Sequence, residues 1–336
     1  MINSLIDLQS NNLQIHDSKD YTSKVDPYVV QSMSKRTREG YKADMKYFWE
    51  WMKLSNPGES VVTEEIVIKH IFHHLEGMPK EIEKQLIAKN VKKDAGVHSF
   101  SHVKRRIVAL SVFHKLNDLP NPCKSEKVKD LLRAMHKSRT SLKKSKAISK
   151  KVLEDIIATC DKGTLIDIRD KAIILFAFCS GGRRRSEIQE ASMEDLQKVD
   201  NGEYLYRVAK SKTDQKGKGF SVPITGKAAE ALKEWLDKSG IKFGRIFRSI
   251  NKSQALGESY HHMSLTEMFK RRIRQAGYDE SIYSLHSLRS GFVTEAGKQG
   301  CSLGDTMALT GHKDVVVAMG YFQAGDVFNN KAARLI

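Results

Sequence analysis

Disulfides have little to work with in this chain. Its four cysteines, Cys123, Cys160, Cys179 and Cys301, stand far apart with no paired spacing, which argues against a disulfide framework or a zinc site and fits a reducing compartment. No apolar run approaches the length of a membrane-spanning helix, so a membrane partner is the weaker reading. Met1 to Asp20 mixes acidic and polar residues and lacks a basic start followed by an apolar core, so no secretory signal is expected. Proline is scarce, 6 in 336 residues, and with a mostly helical pattern this points to an α-rich protein. Acids are outnumbered: 40 Asp and Glu against 57 Lys and Arg leave a formal charge of +17, which favours a polyanion such as nucleic acid. Between Asp130 and Glu154 there is no acid at all, while Arg133, Lys137, Arg139, Lys143, Lys144, Lys146, Lys150 and Lys151 crowd the interval. Its middle, Ser138 to Ala147, has little apolar content and reads as an interdomain linker able to lie along a phosphate backbone.

What is present supports a packed core, at 40% hydrophobic residues, and the length suffices for two domains. Residues 1–25 are unpatterned and read as a flexible tail. From Ser34 the period becomes helical: Tyr41, Met45, Phe48 and Met52 make one apolar stripe, with Lys35, Arg36, Arg38, Lys42 and Lys46 around its start and flank. Basic residues at a helix start oppose the macrodipole, a conflict that an anionic partner relieves. Thr63-Glu64-Glu65 opens a second helix. His70 and His74 lie one turn apart on it, with His73 between, but no acidic or cysteine partner at ligand spacing favours a metal. Further helices are expected over residues 81–91, from Ser101 through Lys104, Arg105 and Arg106 to Leu116, and from Ser125 to His136. Ser149 reads as the N-cap opening a second domain, followed by an apolar helix from Ile166 to Phe178. Two β patterns, Tyr204 to Ala209 and Gly219 to Ile224, flank the Lys- and Gly-rich segment Lys210 to Lys218, a hairpin with a basic tip. Helices resume near Gly226–Lys238 and Ser264–Ala276 and from His286 onward.

One stretch carries chemistry. His286 and Arg289 are three residues apart and share a helix face. Thr310-Gly311-His312 closes a short helical run from Ser302, where a glycine suits the helix end. Tyr321 follows nine residues after His312. Two imidazoles, a bidentate cation and a phenol can hold a phosphodiester while a tyrosine oxygen attacks it.

In this order the segments resemble the tyrosine recombinase (phage integrase) family and its Cre-type members. Thr37, Tyr41, Phe48 and Trp51 stand at the helix spacing of that family's core-binding domain, and Leu119-Pro120-Asn121-Pro122 is similar to a loop in Cre. Gly182-Arg183-Arg184-Arg185-Ser186-Glu187 fits the pattern G-x-R-x-x-E and selects Arg184, with neighbouring arginines one register away, and Glu187. Ser211-Lys212-Thr213, followed by Val222-Pro223, nominates Lys212, with Lys210, Lys216 and Lys218 as alternatives in the same hairpin. His286, Arg289, His312 and Tyr321 complete the set. The resemblance implies a mainly α fold: a core-binding helical bundle over residues 26–137, a basic linker over 138–148, and a catalytic domain over 149–336 with a small antiparallel β-sheet.

Mechanistically, Arg184 and Arg289 would each offer paired N–H donors to the phosphoryl oxygens. Tyr321 would be the nucleophile, His286 its candidate base, His312 a donor to the phosphoryl oxygen, and Lys212 the general acid for the leaving oxygen. Glu187 would orient its basic neighbours. DNA contacts are expected from Lys35, Arg36, Arg38, Lys42, Lys104, Arg105, Arg106, Arg139, Lys143, Lys144 and Lys146. The resemblance further implies a 3′-phosphotyrosine intermediate and strand exchange through a Holliday junction, without metal, cofactor or ATP. The expected partners are double-stranded DNA with an inverted-repeat site and a homo-tetramer joined through the apolar C-terminal tail, in a cytoplasmic, nucleoid-associated setting. A non-catalytic DNA-binding protein on the same fold, and type IB topoisomerase-like nicking, are the competing readings.

Overall fold

A computed structural model describes residues 30–139, 145–209 and 219–326, with the side chains of 323–326 left out. The tail over 1–25, the linker lysines Lys143 and Lys144, the hairpin tip with Lys212, and Val327 to Ile336 therefore lie outside the described residues. The chain divides into two compact units between Leu142 and Lys143.

The first unit is a helical bundle. Helix α1 (Lys35–Ser55) starts at Ser34, whose hydroxyl accepts from Thr37 N at 3.1 Å, and it has no acid in its first turn. It buries Met45, Tyr47, Phe48, Trp51 and Met52. Helix α2 (Glu64–Leu75) is capped by Thr63 and carries Glu64 and Glu65 where the macrodipole favours them. Helices α3 (Lys80–Ala88), α4 (Phe100–Leu116) and α5 (Glu126–Ser138) complete the bundle. Leu86, Val103, Ile107, Leu110 and Val128 close one core with the α1 and α2 faces. Within it His74 Nε2 meets Tyr47 Oη at 2.8 Å and His74 Nδ1 donates to His70 O at 2.6 Å. His70 and His74 are buried, so they pack rather than face solvent.

The second unit is built on α7. Ser149 caps α6 (Lys150–Ala158), and Thr164 and Asp167 form a capping box on α7 (Leu165–Cys179), which is buried along most of its length. Helices α9 (Gly226–Ser239) and α11 (Leu285–Lys298) pack against it. Between α7 and α9 come the short α8 (Arg185–Glu190) and an antiparallel sheet in the order β1 (Leu196–Lys198), β2 (Tyr204–Val208), β3 (Phe220–Ile224). Tyr206 pairs with Leu196 on one side and Val222 on the other. The sequence pattern predicts only β2 and β3; β1 is three residues long, too short to express a period. Helix α10 (His262–Gln275) is tied to α7 by a buried ion cluster, in which Asp170 receives Arg272 at 2.8 Å, Arg169 at 2.7 Å and Arg271 at 2.6 Å. Helices α12 (Leu303–Thr310) and α13 (Val315–Asp326) follow α11, and α13 packs along it.

One boundary differs from the sequence expectation. Lys146 N donates to Ile282 O at 2.8 Å and Ile148 N to Ser287 O at 3.1 Å, and Ile148 is buried. The second half of the expected linker is thus bonded into the second unit. No described helix is long and apolar enough to cross a membrane.

Candidate active site

The site starts at a turn. Helix α7 ends at Cys179, and Gly181 and Gly182 both take positive φ. A Cβ on Gly182, at φ +70°, would stand 2.2 Å from Arg289 Cα. Only glycine lets this turn lie against the backbone of α11, and that contact brings three consecutive arginines beside Arg289.

Arg183 is buried: it donates to Leu309 O at the end of α12, and its Nη1 lies 3.7 Å from Glu187 Oε2. Arg184 is the N-cap of α8, and Glu187 is the third residue of that helix. The Glu187 carboxylate accepts from Arg184 Nη1 at 2.7 Å and from Arg184 N at 3.1 Å. Arg185 Nη1 donates to Thr266 Oγ1 of α10 at 3.3 Å.

Helix α11 supplies His286 and Arg289 from one face. With Arg183, Arg184, Arg185, Thr266, Ser284 and Leu285 they line a cleft of about 260 Å³. Arg289 is 2% exposed and fully oriented: Nη1 donates to Gly182 O at 3.1 Å, Nη2 to Thr310 O at 2.6 Å and Nε to His312 Nε2 at 3.3 Å. Helix α12 ends on Gly311, which adopts the left-handed cap at φ +67° and turns His312 back toward Arg289. Because His312 Nε2 accepts from Arg289, the ring proton belongs on Nδ1, which meets Thr310 Oγ1 at 2.8 Å. Both ring nitrogens of His312 are thus engaged, Nε2 by Arg289 and Nδ1 by Thr310.

Charge at this site is under-compensated. Among the described residues Glu187, itself 5% exposed, is the carboxylate paired with Arg183 and Arg184, and Arg289 has no ion pair. Burial first, then the like charges of Arg184 and Arg183, lower the Arg289 pKa, and Glu187 partly offsets them. Burial likewise lowers Arg183. His312 is pushed down to about 4, by burial and then by Arg289, Arg184, His286 and Arg183. His286 is lowered by the surrounding protein and then by Arg289 and Arg184. Both imidazoles are therefore neutral at pH 7, and among the described residues an anion entering the cleft meets several fixed cationic donors offset by a single acid, Glu187.

Neither His312 nor Tyr321 lines the cleft itself. Tyr321 is half-buried on α13, where its carbonyl accepts from Thr294 Oγ1 of α11 at 3.2 Å, so the helix carrying the phenol is fixed to the helix carrying His286 and Arg289.

Of the expected DNA contacts, Lys35, Arg36, Lys104 and Lys146 are exposed, while Arg38, Lys42 and Arg139 are half-buried. Arg105 is exposed but bonded to Asp44 at 2.8 Å. Arg106 departs from expectation: it is 7% exposed, 3.6 Å from Asp44, with its guanidinium 3.4 Å above the centre of the Tyr47 ring. It is a core cation, withdrawn from any phosphate. Sequence reasoning gave Arg183 and Arg185 only as register neighbours of Arg184, and Thr310 only as part of a helix end, with no role of their own. Three adjacent arginines were visible, but the partner of each depends on α10, α11 and α12, far away in the chain.

Among known proteins, the family model described as "Phage integrase family" matches residues 146–326. The integrase/recombinase xerD homolog of Selenomonas ruminantium is 27% identical over 332 residues, covering 96% of this chain and 91% of its own. Recombinase cre of Escherichia phage P1 is 20% identical over 253 residues, covering 70% of this chain and 74% of its own. A crystal structure of the XerH site-specific recombinase bound to palindromic difH substrate, a post-cleavage complex, superposes with a TM-score of 0.60 at 14% identity, covering 98% of this chain and 93% of that one.

Proposed function

This chain belongs to the phage integrase family and is a site-specific tyrosine recombinase, and from that premise we propose that Tyr321 cleaves DNA by forming a 3′-phosphotyrosyl intermediate. The observation that carries the reading is the cleft: Arg184, Arg289 and neutral His286 converge there, with no carboxylate on its lining among the described residues. Tyr321 Oη attacks phosphorus, the bond to the 5′-oxygen breaks, and the phosphodiester becomes a tyrosyl ester of similar energy. The exchange consumes no ATP. Arg184 and Arg289 stabilise the charge that builds on the non-bridging oxygens, Arg289 through a guanidinium already oriented by Gly182, Thr310 and His312. His286, neutral at pH 7, is the base that accepts the phenol proton. Glu187 aims Arg184. Lys212 protonates the departing 5′-oxygen.

A 5′-hydroxyl from a second duplex then attacks the tyrosyl ester, and a second round resolves the Holliday junction. Such exchange needs paired sites, and the palindromic substrate of the XerH complex supports an inverted-repeat target here. The apolar tail after Asp326, with Val327, Phe328, Leu335 and Ile336, joins protomers into a tetramer on two sites. The protein works at the nucleoid in the cytoplasm.

The leaving-group step is tested by replacing the bridging 5′-oxygen with sulfur, whose thiolate departs without a proton. Lys212→Ala should slow cleavage of the oxygen duplex by about 10²-fold or more and leave the sulfur duplex near the wild-type rate. An equal loss on both would contradict the assignment.

A further inference from the structure

Arg185 stands apart from its two neighbours. Arg183 and Arg184 are engaged by Glu187, and Arg183 also by Leu309 O. Arg185 is half-buried, makes no ion pair among the described residues, and is held by one long bond, 3.3 Å, to Thr266 Oγ1. That hydroxyl in turn donates to His262 O at 3.2 Å, so Thr266 is set to accept from the guanidinium and to orient it. A guanidinium has five N–H donors, and this one keeps most of them for the cleft that it lines.

The cleft lining carries Arg184, His286 and Arg289, already described, and also Arg185, the Thr266 that holds it, and Ser284. Arg183, also on the lining, is 1% exposed, and its Nε and Nη1 lack a hydrogen-bond partner among the described residues. The volume, about 260 Å³, is that of roughly eight or nine waters at about 30 Å³ each. That is more room than one phosphate group fills. A DNA strand presents a phosphate about every 3.4 Å along the helix axis, so a strand whose reacting phosphate sits on Arg184 and Arg289 carries its neighbour into the same region.

We propose that Arg185, oriented by Thr266, forms a second phosphate subsite that grips the backbone phosphate next to the reacting one. The subsite fixes the register of the strand, so that only one phosphate can reach Arg184 and Arg289 together. It rests on the reading of the cleft as the DNA-cleaving centre. Its ligand is a diester phosphate of the DNA backbone, bound through a forked cation rather than through a base edge.

Two measurements on the full-length protein test it. In the first, binding to a random-sequence duplex is titrated against salt, with no cleavage required. Arg185→Gln should lower the slope of log affinity against log salt by about 0.9, so that wild type loses about 3.5-fold more affinity than the variant between 50 and 200 mM salt. Arg185→Lys should restore the slope, and an unchanged slope in Arg185→Gln overturns the proposal. In the second, duplexes captured covalently by wild type are resynthesised with one neutral methylphosphonate at each linkage around the cleaved one. Wild type should lose cleavage rate several-fold at one flanking linkage, and Arg185→Gln should lose no further rate at that linkage. Independent, multiplicative losses at every linkage overturn it. Because the salt slope is read without adduct formation, failure of the cleavage reading and failure of the subsite give different results.

Discussion

Replacing Glu187 by Gln keeps the shape of the side chain and removes the one carboxylate that, among the described residues, pairs with Arg183 and Arg184. In wild type one oxygen takes Arg184 Nη1 at 2.7 Å, and the other takes Arg184 N at 3.1 Å and faces Arg183 Nη1 at 3.7 Å. A glutamine has one oxygen. If it keeps Arg184 Nη1, its amide N–H groups meet two further donors and the buried Arg183 charge loses its counter-ion. Breaking a buried pair from one side costs about 3–5 kcal/mol, and because a quarter of the Arg184 side chain reaches solvent the lower end applies, about 3 kcal/mol. In a unit of this size that lowers Tm by roughly 6–12 °C. Binding to duplex DNA should hold or tighten, because the variant is more cationic, whereas cleavage should fall about 10²–10³-fold as the Arg184 fork loses its aim. Calorimetry, filter binding and the rate of adduct formation on a nicked duplex read the three effects separately. A variant that melts within 2 °C of wild type and cleaves at the same rate would refute the buried-carboxylate reasoning.

Gly182→Ala adds a Cβ at 2.2 Å from Arg289 Cα on a backbone with φ +70°. Left-handed strain of about 1–2 kcal/mol and overpacking of about 1–3 kcal/mol should add, lowering stability by about 2–5 kcal/mol in urea unfolding and displacing Arg289; a loss below 0.5 kcal/mol would contradict the close approach. The histidines of the first unit should make it acid-labile. Burial holds His74 down at about 2 and His70 well below its usual range, so their contribution is complete above pH 6.5 and is lost as pH falls below that toward the folded pKa. Each should cost about 1.4 kcal/mol per pH unit below 6.5. In a Trp235→Phe background, where Trp49 and Trp51 report on this unit, His70→Leu should flatten the pH dependence of the unfolding midpoint between pH 6.5 and 5; an unaltered dependence would exclude His70 as a contributor.

Much of this architecture was readable from periodicity and caps. Ser34, Thr63, Ser125 and Ser149 each announced a helix, and each hydroxyl accepts from the backbone N–H three residues on. What local pattern could not supply was the partner of a charge. Arg105 and Arg106 look equally basic in sequence, yet both meet Asp44, about sixty residues earlier, and only Arg106 also finds the Tyr47 ring and the interior. Arg184 and Glu187 meet because Arg184 is the cap of a helix that no periodicity announces and Glu187 reaches back to its N–H. The requirement for glycine at Gly182 arises from Arg289, more than a hundred residues later. Similarly, β1 is recognisable only by its pairing with β2.

The central claim, that Tyr321 becomes joined to DNA, is tested most directly by covalent capture. Wild type and Tyr321→Phe are incubated with duplexes carrying randomised inverted repeats and a nick in the spacer, then resolved on denaturing gels. A protein–DNA adduct formed by wild type and missing from Tyr321→Phe, with binding equal in both, is the predicted result. An adduct that persists in Tyr321→Phe, or selected duplexes that wild type binds without forming any adduct, would contradict it.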